Sequence, residues 1–369
     1  MIEDAALDLF ADTYPQARAN FLLEAARTGG VVTSYVHPVA FDPQGGSLVI
    51  DVACFGRGRA PNAMLILSGT HGGEGYAGSA AQIALMKTGA LAALESQVRV
   101  VLVHAINPYG FAHWTRTTEN NVDLNRNFID FGRELPRNPG YREVHQYVCP
   151  EHWTPESRAM AKEGMDAWIA RNGFQAWIQA SMMGQYDEPG GLFYGGRNRE
   201  WSNLMLERIV RAHLSGVEKL GFIDWHTGLG EYAEPFFLCF NERRDANWER
   251  ACGWWGRERI ETDGGFEGAS RPKYSGLIFH GVQRFAHPTA MTGAVIEFGT
   301  LPVAEALDQM RVDRWLKFGN RPDDAALLAA LRAGARDAFT PPDPEWRKRI
   351  VAHARDIQLQ ALAGVAAWG

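Results

Sequence analysis

The chain has 369 residues, is 46% hydrophobic and 22% charged, and carries a formal net charge of −6. That is an ordinary globular composition, with length for one large core or two smaller ones. Mild acidity and the lack of a long Lys/Arg block argue against nucleic acid as a partner, and no apolar run reaches the roughly 20 residues of a membrane span. The opening MIEDAALDLFADTYPQ is acidic and has no basic stretch followed by an apolar one, so no secretory leader is expected. Cys54, Cys149, Cys239 and Cys252 include no C-x-x-C pair and read as reduced, mostly buried residues. Together these features predict a cytoplasmic protein with no membrane or nucleic-acid partner.

Apolar periodicity predicts the elements in chain order. A helix over 15–28 precedes strands at SLVIDVACF (47–55) and AMLILSG (63–69). A helix over 78–94 and the strand VRVVLVHAI (98–106) follow, then helices over 155–171 and 202–219. The strands GFIDWH (221–226), PFFLCF (235–240) and GAVIEFG (293–299) come next, then a helix over 301–317. Several strands are apolar on both faces, as in a largely parallel sheet covered by helices on each side. TPPDPEW (340–346) separates the last two helical patterns. The division expected is a main domain over 1–320 and a C-terminal helical extension, 321–369, packed on it.

On this framework LILSGTHGGEGYAGSAAQ (65–82) places His71 and Glu74 just after a strand, among glycines. His226 closes FIDWH, and Glu297 lies at the end of GAVIEF. Ligands of open α/β sheets bind in the crevice outside the carboxyl ends of the strands. His71, Glu74 and His226 make a His2Glu set of the kind that holds catalytic zinc and leaves room for water. Glu297 is then the carboxylate that takes and returns a proton. Gly72, Gly73 and Gly75 allow a tight turn. By itself H-x-x-E is a weak signal, and a polar turn entering a helix would look the same.

The signal strengthens in INPYGFAHWTRTTENNVDLNRNFIDF (106–131). HGGE, NPYG, R…NNVDLNRNF, DWHTG and IEFGT, in this order and over roughly 60–300, resemble the zinc carboxypeptidase (metallocarboxypeptidase) superfamily. HGGEGYAGSAAQ, GLFYGG, DWHTGLG and EFGT are similar to an uncharacterised bacterial branch near the succinylglutamate desuccinylase/aspartoacylase group. The resemblance implies a three-layer α/β/α fold with a mixed, mostly parallel, about eight-stranded sheet. It implies one Zn2+ per chain on His71, Glu74 and His226, with Glu297 as general base and acid. It further implies that Asn125 and Arg126 hold a substrate carboxylate, that Asp123 orients His71, and that Arg116 polarises the scissile carbonyl. Arg116 stands only nine residues before Asn125, a shorter interval than in the digestive carboxypeptidases. The substrate-capping tyrosine is either Tyr274 or Tyr194.

The expected activity is hydrolysis of an amide beside a free carboxylate, by a carboxypeptidase-type metallopeptidase. An N-acyl-amino-acid deacylase would use the same machinery on a small N-acyl substrate, and a binding protein without turnover would keep the ligands but not need Glu297. Asp224 either orients a site residue or caps a turn. His104, His113, His280 and His287 read as packing or surface residues, and most of the twelve tryptophans as core. Arg271, Lys273 and Arg284 hint at an acidic substrate side chain.

Overall fold

A computed structural model describes residues 4–56, 60–260 and 270–369. Seven strands occur among them: β1 (Val31–Phe41), β2 (Ser47–Phe55), β3 (Asn62–Ser68), β4 (Val98–His104), β5 (Lys219–Tyr232), β6 (Pro235–Leu238) and β7 (Ala290–Gly299). They form one sheet in the order β1-β2-β4-β3-β5-β7-β6. The inner run β4-β3-β5-β7 is parallel, whereas β1/β2, β2/β4 and β6/β7 pair antiparallel.

The expected eight strands are therefore seven among the described residues, and one of the seven went unread in the sequence. That strand is β1, which lies at an edge, is solvent-exposed along most of its length and contains Pro38. It therefore carries no alternation of buried and exposed positions. β5 also continues six residues past His226, its expected end, to Tyr232.

Alternation within β3 explains the three layers. Met64 and Ile66 point into one core, shared with Phe21, Ala77, Ala80, Trp248, Trp346 and Ile357 from the helices Tyr14–Arg27, Gly75–Met86, Ala246–Trp255 and Pro344–Ala366. Leu65 and Leu67 point into the opposite core, shared with Leu206 and Ile209 of Trp201–His213 and with Ile278 and Phe279 of Ile278–Ala286. A strand buried on both faces must be apolar at every position, as β3 largely is. No helix of the described residues is long and apolar enough to cross a membrane.

β3 is where the strand order reverses. The chain leaves it for β4 on one side and later returns to β5 on the other. The connection after β3 carries the helix Gly75–Met86 on one face, and the connection after β4 ends in Trp201–His213 on the other. Segments leaving the carboxyl ends of β3 and β5 thus diverge and open a crevice between them.

His104 ends β4 with its ring stacked on Phe21, 4.6 Å between centroids, and its Nε2 2.9 Å from Ser79 Oγ. Burial pushes its pKa down to about 4. The folded protein therefore keeps this imidazole neutral while the unfolded chain takes up a proton near 6.5. Stability contributed by His104 is present above pH 6.5 and falls as pH drops toward 4, by about 3 kcal/mol in total. Urea denaturation at pH 7 and pH 4.5 should show wild type losing about 2–3 kcal/mol more than His104→Asn. Equal losses would place the acid sensitivity elsewhere.

Candidate metal centre

The turn after β3 is shaped by one close approach. Gly72 opens the 3-10 turn Gly72–Glu74, and a Cβ there would overlap the main chain of Gly110 in the NPYG stretch. With no side chain at 72, the two segments pack directly. The turn projects His71 and Glu74 to one side, with His71 Nδ1 3.0 Å from Glu74 Oε1.

β5 supplies the facing side chain. Trp225 points into one core and stacks on Phe298, so Asp224 and His226 point to the other face. His226 Nδ1 lies 3.1 Å from His71 Nδ1 and 2.9 Å from Glu74 Oε2. His71, Glu74 and His226 are all buried and form the potential metal-holding group of the described residues. Across the ladder His226 is paired with Glu297 of β7, whose Oε2 accepts from Leu229 N at 3.4 Å.

The outer nitrogens of both rings face carboxylates. His71 Nε2 is 3.1 Å from Asp123 Oδ1, and His226 Nε2 is 2.8 Å from Asp224 Oδ2. Thr70 Oγ1 donates to both oxygens of Asp224. Asp123 also accepts from Arg116 Nε at 3.0 Å and from Asn125 N at 3.0 Å. Each carboxylate favours the proton on the Nε2 beside it, which leaves the two Nδ1 lone pairs facing one another and the Glu74 carboxylate. Three acceptors within about 3 Å repel unless a cation lies between them.

That donor set fits zinc. A tetrahedral site with metal–donor distances of about 2.0–2.1 Å separates its donors by roughly 3.3–3.4 Å. The observed separations of 2.9–3.1 Å are slightly tighter. Without an ion, a proton offsets the repulsion. Burial opposes a charge on His226, but Asp224 and Glu74 overcome it and hold its pKa well above the usual imidazole value. Burial likewise opposes ionisation of Glu74, and the two histidines overcome it, holding that carboxyl well below its ordinary range. Glu297 behaves oppositely: burial, reinforced by the charge of Glu74, raises it to about 7.

A cavity of about 70 Å³ adjoins the cluster, lined by Glu297, Arg116, Asn125, Arg126 and Tyr274 among others. Arg116 sits beside the cluster, with Nη1 3.4 Å from Glu74 Oε1. Asn125 Oδ1 accepts from Ile278 N at 2.9 Å, so the amide NH2 is its remaining donor. Arg126 donates through Nη1 to Asn125 O and through Nη2 to Met182 O, while its buried Nε has no partner. Its guanidinium lies between the rings of Tyr274 and Phe193, at 4.8 and 5.4 Å from their centroids. No carboxylate of the described residues forms an ion pair with it, and burial lowers its pKa.

The two tyrosine candidates separate. Tyr274 lines the cavity, and burial raises its phenol to about 12. Tyr194 instead meets the site through its main chain, its carbonyl accepting from Asp123 N. The hint of an acidic substrate side chain finds no support, because Arg271 donates to the carbonyls of Cys239 and Phe237 and neither Lys273 nor Arg284 lines the cavity. The lining that sequence reasoning missed is apolar: Leu238, Phe240, Leu277, Val295, Leu307, Met310 and Phe339. Leu307 and Met310 lie in the helix Val303–Phe318 and Leu238 and Val295 in strands, where apolar spacing is the signal that core residues also give, while Phe240, Leu277 and Phe339 lie outside helices and strands and give no periodic signal.

The fold is that of the metallocarboxypeptidases. The bovine thrombin-activatable fibrinolysis inhibitor, solved in complex with tick carboxypeptidase inhibitor, superposes with a TM-score of 0.50 at 10% identity, over 97% of this chain and 98% of that one. Carboxypeptidase A from Helicoverpa armigera superposes with a TM-score of 0.52 at 13% identity, over 98% of this chain and 75% of that one. No curated protein matches by sequence. A family profile spans residues 10–353, and by that match the chain belongs to DUF2817, a family described as a protein of unknown function.

Proposed function

We propose that the protein is a zinc-dependent hydrolase that cleaves an amide bond adjacent to a free carboxylate. The observation that carries this reading is the pairing of two unmet charges across one cavity. At one end three lone-pair donors converge with Glu297 beside them. At the other, the buried Arg126 guanidinium has an unpartnered Nε and, among the described residues, no carboxylate in ion-pair contact. A buried charge left without a counter-ion is costly, so a site of this kind is completed by a ligand that brings one. A substrate carboxylate meets that need at Arg126, and a cation meets it at the histidines.

Residues 1–320 supply these groups, and we assign 321–369 as an extension that packs on them. His71, Glu74 and His226 would hold zinc, which polarises a carbonyl and brings the pKa of its water to about 7. Arg126 and the Asn125 amide bind the carboxylate, Arg126 through a planar fork suited to it. Arg116, anchored to Asp123, donates to the carbonyl oxygen as charge develops there. Glu297 accepts a proton from the attacking water and returns it to the departing amine. Tyr274 closes over the carboxylate end. The carboxypeptidase fold and a proton shuttle of this kind favour a hydrolase over a binding protein, which has no use for Glu297.

Glu297→Gln should abolish hydrolysis while metal content by atomic absorption stays near that of wild type; loss of the metal would contradict the shuttle role. Because only ionised Glu297 accepts a proton, kcat/KM should rise with pH along a limb no higher than about 7. His226→Ala should lose zinc, and Asp224→Asn should weaken zinc binding about 10–100-fold, as competition with a chromophoric chelator would show. Full zinc occupancy in His226→Ala would remove the third ligand. Arg126→Gln should lower kcat/KM about 10–100-fold on a substrate with a free carboxylate and leave that substrate's amide unaffected. An equal fall on both would place the carboxylate elsewhere.

A further inference from the structure

Arg116 and Arg126 lean on the same aromatic ring. The guanidinium carbon of Arg116 lies over Phe193 at 5.3 Å from its centroid, and that of Arg126 at 5.4 Å. Phe193 is buried and lines the cavity together with both arginines. Two cations that share a ring repel each other, and a site shut off from water screens them poorly. The face of the ring carries partial negative charge, so it attracts both without neutralising either. A carboxylate in its place would compete with the substrate for an arginine. A leucine would fill the wall equally well but offer no face to a cation.

Phe193 occupies this place in a strained backbone. Its φ of 53° lies in the left-handed region, which bulky side chains rarely enter. Such strain persists only where the surroundings impose it, and it gathers at functional sites. The buried Gln185 imposes it here. Its Nε2 donates to Glu188 O at 2.8 Å and to Leu192 O at 3.2 Å, and its main-chain N donates to Phe193 O at 3.1 Å. Its carbonyl accepts from Gly195 N at 2.8 Å, and Tyr194 O accepts from Asp123 N at 2.8 Å. The carbonyl of Phe193 and those on either side of it are therefore all held, and the segment is tied to the aspartate that faces His71.

We infer that Phe193 is a positioning residue for both arginines, one ring that sets the aim of Arg126 at the substrate carboxylate and of Arg116 at the scissile carbonyl. This deepens the hydrolase reading and rests on it. Each arginine is otherwise held by hydrogen bonds, Arg116 by Asp123 and Glu74, and Arg126 by the carbonyls of Asn125 and Met182. Those bonds fix where each fork sits, and the ring limits how it tilts. Phe193 acts through the arginines rather than on the substrate. Its loss should therefore weaken carboxylate binding through one arginine and carbonyl polarisation through the other.

The test compares Phe193→Leu and Phe193→Met, which keep an apolar side chain, with Phe193→Tyr, which keeps the ring. The zinc-loaded full chain is assayed on N-benzoylglycyl-leucine and on its C-terminal amide. On the free acid both apolar variants should lose about tenfold or more in kcat/KM, through a lower kcat and a higher KM. On the amide kcat alone should fall, by about threefold or more, so the preference for the acid shrinks. Phe193→Tyr should stay within about threefold of wild type on both substrates. Adding Phe193→Leu to Arg126→Gln should lower turnover of the acid less than adding it to wild type, because part of its effect runs through Arg126. A residue that only fills space would change both substrates by the same factor, or neither. Either result, or a Phe193→Tyr as impaired as Phe193→Leu, would overturn the inference. Calorimetry on zinc-loaded Glu297→Gln reads binding without turnover: the acid should bind more tightly than the amide, and adding Phe193→Leu should shrink that ratio at least about threefold. An unchanged ratio, or no binding of the acid, would reject the role of Phe193. No turnover of either substrate by wild type would overturn the hydrolase reading, and the calorimetric ratio would then decide Phe193 by itself.

Discussion

The structure depends on an electrostatic conflict that the fold forces on itself. Two imidazole nitrogens and a carboxylate are driven to within about 3 Å of each other, each with its electron pair turned inward. Asp123 and Asp224 enforce this by favouring the proton on the far side of each ring. The same two aspartates reach outward, Asp123 to Arg116 and Asp224 to Thr70. Moving either would release a histidine and loosen the segment behind it. A cluster that repels itself persists only if folding energy from the surrounding core holds it, or if a metal ion or a proton resolves it.

That holding force comes from strands buried on both faces. β3 and β5 are neighbours in the middle of the sheet, and their side chains fill both cores. The divergence of the chain at their carboxyl ends leaves the crevice, while Gly72 against Gly110 lets the β3 turn lie close. Because His226 and Glu297 are ladder partners, the Glu297 carboxylate is positioned by main-chain hydrogen bonds rather than by a loop. The position of the group with the raised pKa is thus as rigid as that of the ligands.

Much of this was legible in the sequence, for identifiable reasons. Glycines beside His71 and Glu74, and polar residues at the ends of apolar runs, are improbable unless the backbone turns tightly and the side chains meet something. The central strands could be read because burial on both faces demands uninterrupted apolar residues. β1 could not, since an exposed edge strand is under no such demand. The count of eight came from the resemblance alone, and the six strands read from the sequence lacked only β1. Met310 and Leu307 were invisible for the opposite reason. An apolar residue that faces a cavity obeys the same helical spacing as one that faces the core, and only the fold tells them apart. Asp224 stood between two readings until its distance to His226 Nε2 was known.

The bonds of residues 339–340 show how much of the site is assembled from distant parts of the chain. Residues 339–340 are held by Gly73 and Thr227, so this part of the cavity wall is tied to the turn and the strand that carry His71, Glu74 and His226. A shift in the candidate metal cluster would therefore move this wall as well. The wall of the cavity and the candidate metal cluster are then parts of one packed unit, held by the doubly buried strands beneath it.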